Sequence, residues 1–102
     1  MTQADKKRFR QTKKWKDFRE RKRKEQGKDP VTNSKLIRGY NLHHLDMSPE
    51  NYTDITNEEN FVGLNPQTHD MIHFLYGQGG DSWKDKLLAI AQILRRMDEL
   101  NQ

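Results

Sequence analysis

The sequence predicts a small α+β fold in which strand, loop, strand and helix follow one another, with one further helix on either side. Residues 36–45 alternate apolar and polar side chains and residues 60–64 form a second apolar run, which predicts two strands. Apolar residues at helical spacing after residue 82 predict an amphipathic C-terminal helix. The chain has 102 residues, 31% of them hydrophobic, which indicates one folded domain with a modest core.

The first predicted element is a basic helix. Residues 4–26 contain neither proline nor glycine and are rich in Lys, Arg, Glu and Gln, which favour helix, and Gly27 is a stop signal. Trp15 and Phe18 are one turn apart on this helix. We expect them to be buried against the domain, in preference to the alternative that Trp15 stacks on nucleic acid.

Charge is divided unevenly along the chain. Residues 1–28 hold 13 Lys and Arg against 4 Asp and Glu, a net charge of +9, whereas residues 29–102 hold 6 against 11, a net charge of −5. We therefore divide the chain into a basic arm, residues 1–28, and a domain, residues 29–102. The arm has the charge expected of a phosphate-backbone binder, and a solvated helix face is the alternative. Its densest part is Arg19, Arg21, Lys22, Arg23 and Lys24.

The middle of the chain carries the strands and a central helix. The first strand ends at the adjacent His43 and His44, whose side chains point to opposite sides of a strand. The polar loop that follows is long for a small domain, which indicates a function. Asn65 and Pro66 are a good helix start, with Asn as N-cap, and this helix extends to about residue 76.

The C-terminal helix follows a glycine-rich break at Gly77, Gly79 and Gly80, and Asp81 and Ser82 are its predicted caps. Its apolar stripe is Trp83, Leu87, Ile90, Leu94 and Met97. We expect this helix to lie across the strands as part of the core. The alternative is that the stripe forms a dimer interface.

All four histidines lie between residues 43 and 73, which points to a metal site with an attached base. His69 and His73 are i and i+4, so they share one helix face and can hold one ion together. In the adjacent pair one histidine can ligate the ion while its neighbour faces elsewhere.

Residues 42–73 read LHHLDMSPENYTDITNEENFVGLNPQTHDMIH, with an adjacent His pair, a polar loop, an Asn before an apolar strand, and H-x-x-x-H. This order resembles the HNH endonuclease family, the ββα-metal or His-Me finger nucleases, and especially the colicin-like bacterial toxin nucleases. The resemblance covers roughly residues 12–76. Many family members carry paired Cys for a second, structural zinc, and this chain has no cysteine, so packing and hydrogen bonds must hold its GKDPVTNSK stretch.

The resemblance implies a role for each histidine. His43, His69 and His73 are the expected ligands of one divalent ion, with magnesium, manganese, nickel and zinc all left open. His44 is the expected general base, which takes a proton from the attacking water and which a backbone carbonyl orients. The spacing does not exclude an exchange of ligand and base.

The resemblance also implies roles for Asn60 and Arg38. Asn60 is expected to brace the loop and keep the base aligned, and Arg38 to contact the scissile phosphate. Asp46 is either a partner of a ligating histidine or a loop cap, and we favour the cap. The acidic pair that precedes Asn60, Glu58 and Glu59, is expected to face solvent.

The function implied is that of a metal-dependent DNA endonuclease of phage or mobile-element type, which leaves 5′-phosphate and 3′-hydroxyl ends. A non-catalytic nucleic-acid-binding protein with a structural metal site and an RNA-directed nuclease are the alternatives. Expected partners are the DNA backbone, read with low sequence specificity, and phage packaging or recombination proteins. No apolar run is long enough for a membrane span or a signal peptide, so we expect a protein of the bacterial cytoplasm. We expect it to be a monomer or a homodimer.

Overall fold

A computed structural model describes residues 2–46, 48, 51–77 and 82–102. The predicted α+β class is confirmed, with a two-stranded antiparallel sheet and helices on both sides of it in sequence. No described helix has the length and apolar character that crossing a membrane requires. The elements are α1 (Gln3–Arg10), α2 (Lys13–Gln26), β1 (Asn41–His44), a 3-10 turn (Glu58–Asn60), β2 (Phe61–Leu64), α3 (Pro66–Tyr76) and α4 (Ser82–Leu100).

Contacts divide the chain into two compact units. The two units are Met1–His69 and Asp70–Gln102, and the boundary lies inside α3. The basic N-terminal helices therefore belong to the same unit as the sheet.

The predicted single basic helix is two helices, because Thr12 starts a new one. The Thr12 hydroxyl donates to the Phe9 carbonyl, at 2.7 Å, and accepts from the Trp15 amide at 3.2 Å. A threonine that accepts from the third residue after it is an N-cap, so it ends α1 and begins α2. The expectation of one helix over 4–26 was wrong at this point, where residue propensities alone gave no break.

The first strand is shorter than predicted. β1 covers only Asn41–His44, because the chain turns just before it, with the Tyr40 amide donating to the Ile37 carbonyl at 3.1 Å. The second strand begins at Phe61, one residue later than predicted. In the antiparallel register Asn41 lies opposite Leu64 and His44 opposite Phe61.

The core of the first unit lies between α2 and the sheet. Trp15 and Phe18 are both buried in it, which confirms that α2 docks by its aromatic face. Such burial provides most of the stability of a short amphipathic helix. The buried apolar residues are Trp15, Phe18, Leu36, Tyr40, Leu42, Phe61 and Leu64.

Gln26, at the end of α2, pairs with the free edge of β2. Its side-chain Nε2 donates to the Gly63 carbonyl at 2.8 Å, and its Oε1 accepts from the Gly63 amide at 2.8 Å. Gly63 lies opposite Leu42 in the sheet, and its own polar groups point away from β1. One side-chain amide thus supplies the bonds that a third strand would otherwise make.

Gly63→Ala is expected to lower the free energy of unfolding by about 1–3 kcal/mol, because the close approach of the core leaves no room for a methyl group. A Cβ at this position would lie 2.9 Å from Leu36 Cδ1 and 3.0 Å from Tyr40 Cε2. Gly39→Ala is the matched control, since its Cβ would meet nothing closer than Ile37 Cδ1 at 4.0 Å. Urea unfolding measures both variants, and equal losses would contradict the steric explanation.

Asp29 is a completely buried carboxylate that fixes the start of α3. Its Oδ2 accepts from the Asn65 amide at 2.9 Å, and its Oδ1 accepts from the Val31 and Thr32 amides at 2.8 and 3.1 Å. Burial acts to raise the pKa of Asp29, but these amides and the Thr68 hydroxyl hold that pKa below its usual value. The predicted turn at this position is therefore also an anchor for the helix that carries His69.

Asp29→Asn is expected to cost about 1–3 kcal/mol at neutral pH, because an amide group then faces backbone N–H donors. Since folding lowers the pKa of Asp29, its contribution is complete above about pH 4 and is lost as the pH falls through the folded-state pKa. The difference in unfolding free energy between wild type and variant should therefore shrink as the pH falls below about 4. A difference that does not change with pH would contradict this role.

The second unit, Asp70–Gln102, contains the end of α3 and all of α4. Lys86 Nζ donates to the Phe74 carbonyl at 2.9 Å, which ties the two helices together. No residue of α4 is buried, and the expectation that its stripe lies across the strands stays a prediction. The predicted break at Gly79 and Gly80 and the cap at Asp81 lie outside the described residues.

Candidate metal centre

The adjacent histidines of β1 lie on opposite faces of the sheet, as predicted. The His43 ring lies 5.6 Å from the His69 ring, measured between centroids. The His44 ring lies 4.7 Å from the ring of Phe61, its cross-strand neighbour. The alternation of side chains along a strand thus separates two imidazoles that are neighbours in sequence.

His43, His69 and His73 form a cluster with the geometry of a metal site. Each offers one ring nitrogen, and these nitrogens all lie within 4.8 Å of one another. Ligand nitrogens lie about 2.0–2.1 Å from zinc, so two of them on one tetrahedral ion are about 3.4 Å apart. The three nitrogens are therefore near enough to be candidate ligands of one ion, which would require them to lie closer together than the 4.8 Å limit. His43 and His69 are half-buried and His73 is exposed, so the cluster opens to solvent.

His44 is held by the loop between the two strands. Its Nε2 lies 3.0 Å from the Tyr52 carbonyl oxygen. The ring stacks on Tyr52, with centroids 4.4 Å apart and planes 6° apart, and lies parallel to Trp15 at 6.1 Å. These contacts fix both the position and the plane of the imidazole.

The surroundings of His44 favour a neutral ring with a free lone pair. A carbonyl oxygen can only accept, so the Nε2 proton belongs to this bond and Nδ1 carries the lone pair of the neutral ring. Burial lowers the pKa of His44, the Tyr52 carbonyl opposes this shift, and the positive charges of Lys6 and Arg10 add to it. The net pKa lies below its ordinary value, so at neutral pH this nitrogen can accept a proton.

Asn60 is buried and holds the chain that leaves β1. Its Oδ1 accepts from the Asp46 amide and its Nδ2 donates to the Asp46 carbonyl at 3.4 Å. The Leu45 amide donates to the Asn60 carbonyl at 2.8 Å. The side chain therefore braces the loop directly after the histidine pair, which is the contact expected of it.

The carboxylates near the site have structural partners. Asp46 accepts from the Ser48 amide at 2.9 Å and from Asn51 Nδ2 at 2.5 Å, so the favoured interpretation as a loop cap is confirmed. Glu58 forms an ion pair with Arg21 instead of facing only solvent, whereas Glu59 is exposed as expected.

The predicted phosphate-binding cations are not gathered at the histidines. Arg38 is exposed on the turn before β1, and no described contact joins its side chain to the histidine cluster. In the basic block, Arg19 donates to the Arg38 carbonyl at 2.9 Å and also to the Tyr40 carbonyl. Arg23 pairs with Glu20, and Arg21 pairs with Glu25 at 3.2 Å as well as with Glu58. Arg19 and Arg21 therefore contact residues outside α2, whereas Arg23 pairs within the helix.

Sequence reasoning missed the residues that surround His44. Tyr52 supplies both the carbonyl and the stacking ring, and its aromatic character within a polar loop was the available signal. Lys6 lies with Nζ 5.0 Å from the centre of the Tyr52 ring, which brings α1 towards His44. No local pattern links residues this far apart.

Comparison of the chain with protein-family models, with curated protein sequences and with solved structures found no match. What the site can do is therefore inferred from its own residues and their geometry.

Proposed function

We propose that the chain is a metal-dependent endonuclease of the HNH type, with a ββα-metal core formed by β1, β2 and α3, that hydrolyses phosphodiester bonds in DNA. One observation carries the proposal. The last two residues of β1 present a three-histidine cluster on one face of the sheet and a carbonyl-oriented histidine on the other. Metal-assisted hydrolysis needs these two elements, an ion-binding group and a proton acceptor beside it.

His43, His69 and His73 would hold one divalent ion through their ring nitrogens. Three protein ligands with open coordination positions are typical of a catalytic site, whereas a structural zinc usually has four. When bound, the ion supplies positive charge that stabilises the phosphorane-like transition state and the departing oxygen. Nitrogen ligands favour zinc, nickel or manganese over magnesium.

His44 would act as the general base. Its Nδ1 takes a proton from a water molecule, the water oxygen attacks phosphorus, and the bond from phosphorus to the 3′ oxygen breaks. The products are a 3′-hydroxyl end, which takes up a proton, and a 5′-phosphate end. The Tyr52 carbonyl holds the imidazole in the tautomer that this step requires. His43 and His44 lie on opposite faces of the sheet, so a phosphodiester that contacts both the ion and the base must cross the end of β1.

Asn60 would be a positioning residue for this step. It bonds to the backbone amide and carbonyl of Asp46, two residues after His44, and is buried. A small displacement of a catalytic group costs orders of magnitude in rate, so a fixed loop is required.

The proposed substrate is the DNA backbone. Residues 1–28 carry a net charge of +9, which favours a polyanion. Within that stretch Lys6 and Arg10, on α1, exert their charge on His44, so α1 is the basic helix best placed to bind phosphates beside the base. Arg38 is kept as a further phosphate contact on the turn before β1. Backbone contacts of this kind position a protein on DNA and read little sequence.

Cleavage of supercoiled plasmid tests the proposal directly. Purified protein is incubated with Mg²⁺, Mn²⁺, Ni²⁺, Zn²⁺ or EDTA, with a structured RNA as a parallel substrate. We expect metal-dependent conversion of plasmid to nicked or linear DNA, abolished by EDTA, and little cleavage of RNA. DNA binding without cleavage under any metal would overturn the enzyme assignment and support a non-catalytic binding protein. Preferential cleavage of RNA would overturn the substrate.

A further inference from the structure

Several large apolar residues are exposed along one face of α4. Leu87, Leu94 and Met97 expose 46%, 54% and 53% of their surface, although they lie on one face of a 19-residue helix. Soluble proteins rarely leave a continuous apolar stripe of this length in water. The stripe therefore indicates a surface that another helix covers.

The spacing of the stripe is that of a coiled coil. Trp83, Leu87, Ile90, Leu94 and Met97 are separated alternately by four and three residues, which is the heptad pattern of positions a and d. A stripe that repeats every 3.5 residues suits a helix of the same kind lying nearly parallel or antiparallel to it.

The charges beside the stripe specify the direction of the partner. Lys84, near the start of α4, and Asp98, near its end, occupy the same flanking position of the heptad. In an antiparallel pair of identical helices with Ile90 opposite Leu94, each Lys84 comes next to Asp98 of the second copy. A parallel pair instead places Asp98 opposite the apolar Ile93.

We propose that α4 pairs with α4 of a second copy of this chain in an antiparallel dimer. Leu87 of one copy packs against Met97 of the other, Ile90 packs against Leu94, and two Lys84–Asp98 ion pairs flank this core. In this two-fold arrangement each contact between the copies occurs twice, so the four residues Leu87, Ile90, Leu94 and Met97 of one copy all face apolar residues of the other. The proposal concerns α4 alone and does not depend on the proposed nuclease function.

The first experiment measures the oligomeric state of the full chain by sedimentation velocity over a range of concentrations. We expect a dimer for wild type and at least a tenfold weaker dimer for Leu94→Asp. Leu88→Asp is the matched control, because Leu88 is as exposed as Leu94, 55% against 54%, but lies off the stripe. A monomeric wild type at about 100 μM, or equal weakening by both variants, would overturn the proposal.

A charge exchange tests the direction and remains readable if Leu94→Asp fails to fold. Lys84→Glu alone and Asp98→Lys alone each place like charges together in an antiparallel dimer, so each should weaken it. The double variant should dimerise as wild type does, and an equimolar mixture of the two single variants should form a heterodimer. Absence of both rescues would show that Lys84 and Asp98 do not meet, and would overturn the antiparallel arrangement.

Discussion

Replacing His44 by glutamine is expected to slow DNA cleavage by about 10²–10⁴-fold while leaving metal affinity unchanged. Glutamine keeps an N–H donor within reach of the Tyr52 carbonyl, to which His44 Nε2 bonds at 3.0 Å, and it fills similar space between Tyr52 and Trp15. It has no basic nitrogen, so the variant separates proton transfer from packing. Single-turnover cleavage rates at saturating metal provide the measurement.

His44→Ala serves as a second variant, because it also removes the stacking contacts. We expect the same loss of rate as for glutamine together with a lower melting temperature, since the half-buried ring packs against Phe61. If His44→Gln cleaved DNA at the wild-type rate, His44 could not be the base, even if cleavage itself were established.

His69→Ala is expected to abolish metal-dependent cleavage by weakening metal binding more than about 100-fold. The three ring nitrogens lie within 4.8 Å of one another, so removal of one leaves His43 and His73 as the only cluster ligands. Titration calorimetry with Zn²⁺ and Ni²⁺ measures the affinity. The rise in melting temperature that metal gives wild type should disappear in the variant, because a ligand stabilises only the state that binds it.

Gln67→Ala provides the matched control for this loss. Gln67 is exposed on α3, two residues before His69, and therefore points away from the histidine face of the helix. It should bind metal and cleave DNA as wild type does. Equal metal affinity in wild type and His69→Ala would show that the metal binds elsewhere. If His69→Ala lost metal binding but the wild type cleaved no DNA, the cluster would be a structural metal site.

Much of the histidine site could be predicted from the sequence because local rules govern it. α3 begins at Pro66 as predicted, although the Asn65 side-chain oxygen accepts from the Ile37 amide at 3.0 Å and no cap on the helix is seen among the described residues. The i, i+4 spacing then gives His69 and His73 a common face. Alternation along a strand separates His43 from His44. The burial of α2 followed from two aromatic residues one turn apart. The metal and the chemistry proposed for these residues remain predictions.

The errors in the predicted fold have a common origin in competition between local and distant contacts. The basic block was interpreted only by its charge, and its phosphate-binding role stays a prediction, but Arg19 also bonds to carbonyls 19 and 21 residues away. The alternation of apolar and polar side chains predicted a first strand from residue 36. Instead the chain turns at Ile37–Tyr40, beside the buried Leu36 and Tyr40. In both cases tertiary contacts decide which of two locally acceptable structures forms.

The sequence by itself determined the α+β class, the bounds of α3, and the histidines that share a helix face or lie on opposite sides of a strand. These depend on periodicity and on neighbouring residues, which short-range sterics and hydrogen bonding control. Only the tertiary structure decided that the Tyr52 carbonyl orients His44 and that Asp29 anchors α3 through Asn65. The His44–Tyr52 contact joins residues 8 positions apart, and the Asp29–Asn65 contact joins residues 36 positions apart. No sequence period specifies contacts at such separations, because these contacts form only when the whole core packs.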